Sequence, residues 1–153
     1  MASRDKVKFD NLLHHPLLLD SFERANFAVA GFERIGIETG WMEDYRSYEK
    51  IKYEGERKRN INIRNSIQSS KQHVAFNSIY ERDKYIYQDN VVGVLNYTRN
   101  VLNHIGQHLT KTHDDLESQE IEEALTAMFP ESLIDLYEFL VIHKNVNAGE
   151  CTN

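Results

Sequence analysis

Apolar residues recur along this chain at the three- and four-residue spacing of helices buried on one side. The pattern is clearest from Tyr87 to His108. There Val91, Val94, Leu95, Thr98, Leu102, Ile105 and then Leu109 form the stripe of one long amphipathic helix, with Asn90 as its cap. Upstream, Leu12 and Leu13 mark a short helix end that stops at Pro16, because the residue before proline is pushed out of the helical region. A second helix starts at Asp20, which with Glu23 makes a capping box. It buries Phe22, Ala25, Val29 and Phe32, tolerates Gly31 and ends at Gly36. Gly40 turns the chain into a third helix, whose Trp41, Tyr45, Tyr48 and Lys52 lie on one face and which ends at Gly55; its aromatic stripe reads as core. One further helix is expected from Ile63 through Ile67, Val74 and Phe76 to about Tyr80, followed by the linker ERDKYIYQD. After a loop near Lys111 to Asp114, Leu116, Ile121, Leu125 and Met128 mark a helix broken at Phe129-Pro130. Leu133, Leu136, Tyr137, Leu140 and Val141 mark the last helix, and NVNAGECTN reads as a disordered tail.

No window alternates at period two, so the expected fold is all-α, a compact bundle of about six to eight helices. A chain of 153 residues suits one domain with one core. The single cysteine, Cys151, excludes an internal disulfide framework and fits a reducing compartment. Neither a signal peptide nor an apolar run of the roughly 20 residues that a membrane span needs is present. A soluble, cytoplasmic chain without membrane contact is therefore expected.

The formal net charge of -6 argues against a generic polyanion binder, but the charge is unevenly placed. Arg46, Lys50, Lys52, Arg57, Lys58, Arg59 and Arg64 oppose only Glu49, Glu54 and Glu56 in one stretch, while 114–123 holds six acids and no base. Both runs read first as solvated faces. The polar, aperiodic part from Glu56 to Asn65 reads as an exposed loop able to approach a nucleic acid through Arg57, Lys58, Arg59 and Arg64. On the long helix, Asn96, Asn100, Asn103, His104 and Gln107 fall away from the apolar stripe, and Arg99 can reach the same side. A fixed cation, amides and a titratable imidazole thus share one patch. His104, His108 and His113 also raise metal binding, but no carboxylate or cysteine completes a set, and neither a metal nor another cofactor is expected.

The run from Tyr87 to His104, YQDNVVGVLNYTRNVLNH, resembles the core of the kinase-extension nuclease (KEN) domain, the ribonuclease module of the unfolded-protein-response kinase and of RNase L. Three further features are similar: a tyrosine about a dozen residues before Arg99, the closing Phe129-Pro130-x-x-Leu133-x-x-x-Tyr137, and Leu12-Leu13-His14-His15-Pro16-Leu17-Leu18-Leu19 followed by Phe22-Glu23-Arg24, like the end of a kinase C-lobe entering the first nuclease helix. Tyr87 stands one residue closer to Arg99 than is usual, and Asn103 and Ile105 flank His104 where a second histidine is common. The resemblance divides the chain into a kinase-end remnant over 1–20, a KEN-like domain over 21–145 and the tail 146–153.

What the resemblance implies is cleavage of RNA without a metal, the ribose 2′-hydroxyl attacking its own phosphate to leave 2′,3′-cyclic phosphate and 5′-hydroxyl ends. His104 would be the acid, since imidazole titrates near neutral pH. Tyr87 would be the base or position the 2′-hydroxyl, Arg99 would grip phosphate, and Asn100 would bond the phosphate or orient the substrate. Asn103 joins the basic loop as an RNA-binding residue. A weak homodimer is implied, with a kinase or pseudokinase region upstream in a parent protein, which would place the chain in the cytoplasm or at the cytosolic face of the endoplasmic reticulum. Two alternatives stand beside this reading. One is a HEPN-type ribonuclease, also helical and built on Arg-x4-His; the other is a catalytically silent KEN-like interaction module.

Overall fold

Asp20 opens the first long helix as the capping box requires: its carboxylate accepts from the Glu23 backbone N–H at 2.8 Å, and the Glu23 side chain accepts from the Asp20 N–H at 3.3 Å. The structure is a computed structural model that describes residues 9–54, 60–112 and 118–152, and side chains within these ranges except at 105–112 and 118. Among the described residues there are helices and turns and no strand, so the chain is all-α as expected. Residues 9–13 are helical, as expected of the short helix end before Pro16, and the helices that follow are α1 (Ser21–Ile37), α2 (Trp41–Lys52), α3 (Ile63–Gln68), α4 (His73–Arg82), α5 (Val91–Thr112), α6 (Ser118–Met128), α7 (Ser132–Tyr137) and α8 (Gly149–Thr152). Single 3-10 turns lie at Pro16–Leu18 and Lys84–Ile86, and α7 runs on into a π-helical turn, Glu138–His143. None of the described helices is long and apolar enough to cross a membrane.

Two apolar cores meet at α5. The first gathers Phe27 and Ile35 of α1, Tyr45 of α2, Leu95 of α5, and Leu136, Phe139 and Leu140 of α7 and its π-turn. The second joins Ile63 and Ile67 of α3, Phe76 and Ile79 of α4, Val94, Tyr97 and Val101 of α5, and Ile121 and Leu125 of α6. The aromatic stripe of α2 is core as expected, with Tyr45 edge-on to Phe139 at 5.0 Å. Gly31 lets α1 and α7 close together: a β-carbon there would stand 2.9 Å from Leu136 Cδ2 and 3.1 Å from Leu140 Cδ1.

Several expectations are corrected. The single helix expected from Ile63 to Tyr80 is two, α3 and α4, because the serines between them bind backbone: Ser69 Oγ donates to Ser66 O, and Ser70 Oγ accepts from Gln72 N. Lys111, expected in a loop, belongs to α5, which continues to Thr112, and 113–117 lie outside the described residues. The tail is folded. Asn145 adopts the left-handed conformation at φ 55° and reverses the chain, so that Val146, Ala148 and Cys151 enter the first core. Asn11 then ties both ends together, its carbonyl accepting from Tyr137 Oη at 2.8 Å and its Oδ1 from Ala148 N at 3.1 Å.

Nor are the two charge runs simply solvated. Glu122 is buried against Arg24 in a bidentate pair at 2.7 and 2.8 Å, which joins α6 to α1. Lys52 donates at 2.6 Å to both Asp135, itself buried, and Glu138; Tyr48 also donates to Glu138 and Tyr53 to Asp135. Burial opposes ionisation of Glu138, but the hydrogen bonds from Lys52 and Tyr48 outweigh it and hold the carboxyl below its usual value. Burial likewise opposes the Lys52 charge, and the bonds to Asp135 and Glu138 outweigh it and raise the ammonium.

Truncation after Asn145 should lower stability by at least the about 1.5–3 kcal/mol of burying one valine; a urea midpoint equal to that of the full chain would show the tail to be dispensable. The network should also give stability that is full above the ordinary glutamate value of about 4.3 and is lost as pH falls through the lowered Glu138 value. The advantage of wild type over Glu138→Gln in urea should therefore shrink between about pH 5 and pH 3, whereas a constant gap would leave Glu138 uncoupled from the network.

Candidate active site

The four residues expected to act together depend on how the chain enters α5. After the turn Lys84–Ile86, residues 87–90 fold back over the first turn of the helix. Asn90 caps it as expected, its Oδ1 accepting from Gly93 N at 2.9 Å. Gly93 is what allows the fold-back, because a β-carbon there would lie 1.7 Å from the Gln88 carbonyl oxygen. Asp89 secures the same loop from outside, accepting from the Ile63 N–H at the start of α3 at 3.0 Å.

This path buries Tyr87, 4% exposed, beside Asn100, 8% exposed. Asn100 Nδ2 donates to the Tyr87 hydroxyl at 2.7 Å. The Tyr87 ring stacks on Tyr80 at 5.9 Å and meets Tyr97 edge-on at 5.3 Å. Burial raises the Tyr87 phenol above its usual value, and the bond from Asn100 recovers part of that shift. Tyr97, also raised by burial, donates to the Phe76 carbonyl at 2.8 Å. Asn100, expected on the polar side, thus faces the second core, and Tyr97 and Val101 widen the buried side of α5 beyond the expected stripe.

Arg99 looks the other way, because successive helical residues point about 100° apart. Its guanidinium lies over the ring of Phe32 of α1, 5.2 Å from the centroid, and its Nη2 approaches Asn96 Oδ1 at 3.4 Å. Its Nε is buried without a hydrogen-bond partner. The other described arginines, Arg24, Arg34, Arg46, Arg64 and Arg82, each pair with a carboxylate; Arg99 alone among them does not.

His104 lies one turn beyond Asn100 and is half-buried, with Nδ1 shielded from solvent. Asn103, one turn beyond Arg99, is exposed. Arg64 pairs with Glu81 at 3.1 Å and covers the Tyr80 ring at 5.6 Å, so it reaches the site through the stacked tyrosines. Arg57, Lys58 and Arg59 lie outside the described residues, as do the side chains of His108 and His113.

Tyr87 and Asn100 are therefore brought into contact, Arg99 and Asn103 share the α1 side of α5, and His104 follows Asn100. Sequence reasoning did not single out Phe32 as the support of Arg99, nor Tyr80 and Gly93 as the supports of Tyr87. A glycine in the first turn of a long helix was the available signal for the last.

The fold and the site define an all-helical protein in which, among the described residues, one arginine is left unneutralised on the helix that also carries the asparagine of a buried tyrosine–asparagine pair. The chain matches no family model, and no curated protein or solved structure is similar to it.

Gly93→Ala should force the 87–90 segment off α5, since the obstacle is backbone. We expect a loss exceeding the about 1–3 kcal/mol of ordinary overpacking, with a changed near-ultraviolet tyrosine signal. Wild-type stability with an unchanged signal would show that the loop passes elsewhere.

Proposed function

We propose that this chain is an endoribonuclease domain of the KEN type, cleaving RNA through 2′-hydroxyl attack to give 2′,3′-cyclic phosphate and 5′-hydroxyl ends, and acting as a homodimer. Arg99 carries this reading. A half-buried guanidinium braced by an aromatic face, with no carboxylate to neutralise it, keeps its charge and its planar donors for an incoming phosphate. A guanidinium with a purely structural role would be expected to find a carboxylate, as the other described arginines do.

The roles then follow from chemistry. Arg99 binds the non-bridging phosphate oxygens and offsets the charge that grows on them in the transition state. His104 gives its proton to the 5′-oxygen as the phosphorus–oxygen bond breaks. Tyr87, kept protonated by burial, is unsuited to the role of base and serves as a positioning residue that fixes Asn100. The 2′-hydroxyl proton leaves to solvent. Arg64 contacts the RNA backbone, as would Arg57, Lys58 and Arg59, which lie outside the described residues, and Asn103 contacts the substrate. A second copy and an upstream kinase-like region are the partners this reading implies.

One observation favours a different class. Tyr87 and Asn100 are buried and hydrogen-bonded to each other on the side of α5 away from Arg99, which suits a silent interaction module.

Cleavage of a fluorescent stem-loop and of a single-stranded RNA in EDTA separates the two. The wild-type chain should cut, with specific activity rising with protein concentration, and His104→Ala and Arg99→Ala should each lose at least about a hundredfold in rate, as expected for general acid catalysis or loss of a charge-stabilising donor. Equal inertness of wild type and both variants at high concentration would sink the nuclease and leave the module.

A further inference from the structure

An open groove of about 370 Å³ runs between the first half of α1, the second half of α5 and the start of α6. Phe22, Asn26 and Val29 line it from α1, Leu102 and Asn103 from α5, and Gln119 from α6. Among the described residues no ionisable side chain lines it, in a chain with a net charge of -6. Its aromatic wall, Phe22, is 73% exposed, although the apolar spacing of α1 placed it in the buried stripe.

The groove is continuous with Arg99. Phe32 of α1 faces Arg99 of α5, while Val29 and Asn26 face Leu102 and Asn103, so the two helices run antiparallel with the groove directly beyond the guanidinium. At about 1.5 Å of rise per residue, Val29 stands about 4.5 Å and Asn26 about 9 Å along α1 from Phe32. Phe22, ten residues before Phe32, stands about 15 Å along the same axis, a span longer than one nucleotide covers and within reach of two consecutive ones.

We propose that this groove is a nucleobase subsite: one unstacked base of single-stranded RNA lies on Phe22 with its edge toward Asn26, Asn103 and Gln119, while the phosphate of the neighbouring nucleotide rests on Arg99. The assignment rests on the ribonuclease reading and names the part of the substrate that this face would hold. Single-stranded RNA alternates neutral planar bases with anionic phosphates, and this surface has a groove whose described lining is uncharged, with an aromatic wall, leading to an unneutralised cation. Bases splayed from single strands are held by aromatic stacking and by hydrogen bonds to their edges. Side-chain amides suit those edges because each offers both a donor and an acceptor. Asn26 gives one N–H to the Thr152 carbonyl at 3.4 Å and Gln119 one to Glu123 at 3.0 Å, which leaves each a carbonyl oxygen and a second N–H for the base.

The test is a fluorescence titration of the full chain against a trinucleotide of RNA with 2-aminopurine at its centre, and against the same trinucleotide with the central base removed. Phe22 and Gln119 are exposed, so Phe22→Ala and Gln119→Ala should keep the wild-type far-ultraviolet circular dichroism. On the intact trinucleotide, Phe22→Ala should weaken binding by at least about fivefold, the lower end for one base–aromatic stack, and Phe22→Tyr should restore it. On the abasic trinucleotide, wild type and Phe22→Ala should bind alike. Equal binding of wild type, Phe22→Ala and Gln119→Ala to the intact trinucleotide, with Arg99→Ala weakened, would overturn the subsite and leave RNA binding standing. A Phe22→Ala loss of the same size on the abasic strand would also overturn it. Failure of wild type to bind either strand would overturn the subsite together with the reading beneath it.

Discussion

One helix has to serve as the wall of two cores. On α5, Leu95 belongs to the cluster built on α1, α2 and α7, while Val94, Tyr97 and Val101 belong to the cluster built on α3, α4 and α6. A helix buried on two sides has little circumference left for polar side chains. What remains falls on the edges between the cores, and there Arg99, Asn103 and His104 stand. The same restriction turns Asn100 inward, and a buried amide needs a partner. Tyr87 supplies it, delivered by a loop that can close only over a residue without a β-carbon.

This arrangement explains which features were legible in the sequence. The period of apolar residues, the Asp20 and Asn90 caps and the Phe129-Pro130 break depend on neighbours in the chain, and they describe the helices well. What was missed depends on residues far apart. Nothing near Asn100 signals that a second core lies on that side, and nothing in NVNAGECTN signals that Val146 and Cys151 have a cavity to fill. The split between α3 and α4 was hidden for another reason: the apolar spacing continues across the serines that interrupt the backbone.

The candidate site was legible as a set of residue types, and less so as a geometry. Arg99, Asn100 and His104 lie on one helix, so their proximity followed from spacing alone. Their division between two sides of that helix did not, since it depends on Phe32 lying against one side and Tyr87 against the other. The charge runs show the same limit. Lys52 and Glu122 are ordinary members of a basic and an acidic stretch by sequence, and each becomes a fixed tie between helices once its partner from a distant segment is in place.

The knot at Asn11 bears on the order in which the chain acquires its structure. The second core closes from residues between Ile63 and Leu125, and most of its contacts join neighbouring helices. The first cannot close until residues past Asn145 have turned back to meet Asn11, over a separation that makes loop closure costly and late. On a growing polypeptide the second core would therefore set early, while the apolar faces of α1 and α2 stay incompletely covered until the segment past Asn145 has been made. For that interval this half of the molecule is the part most in need of a chaperone.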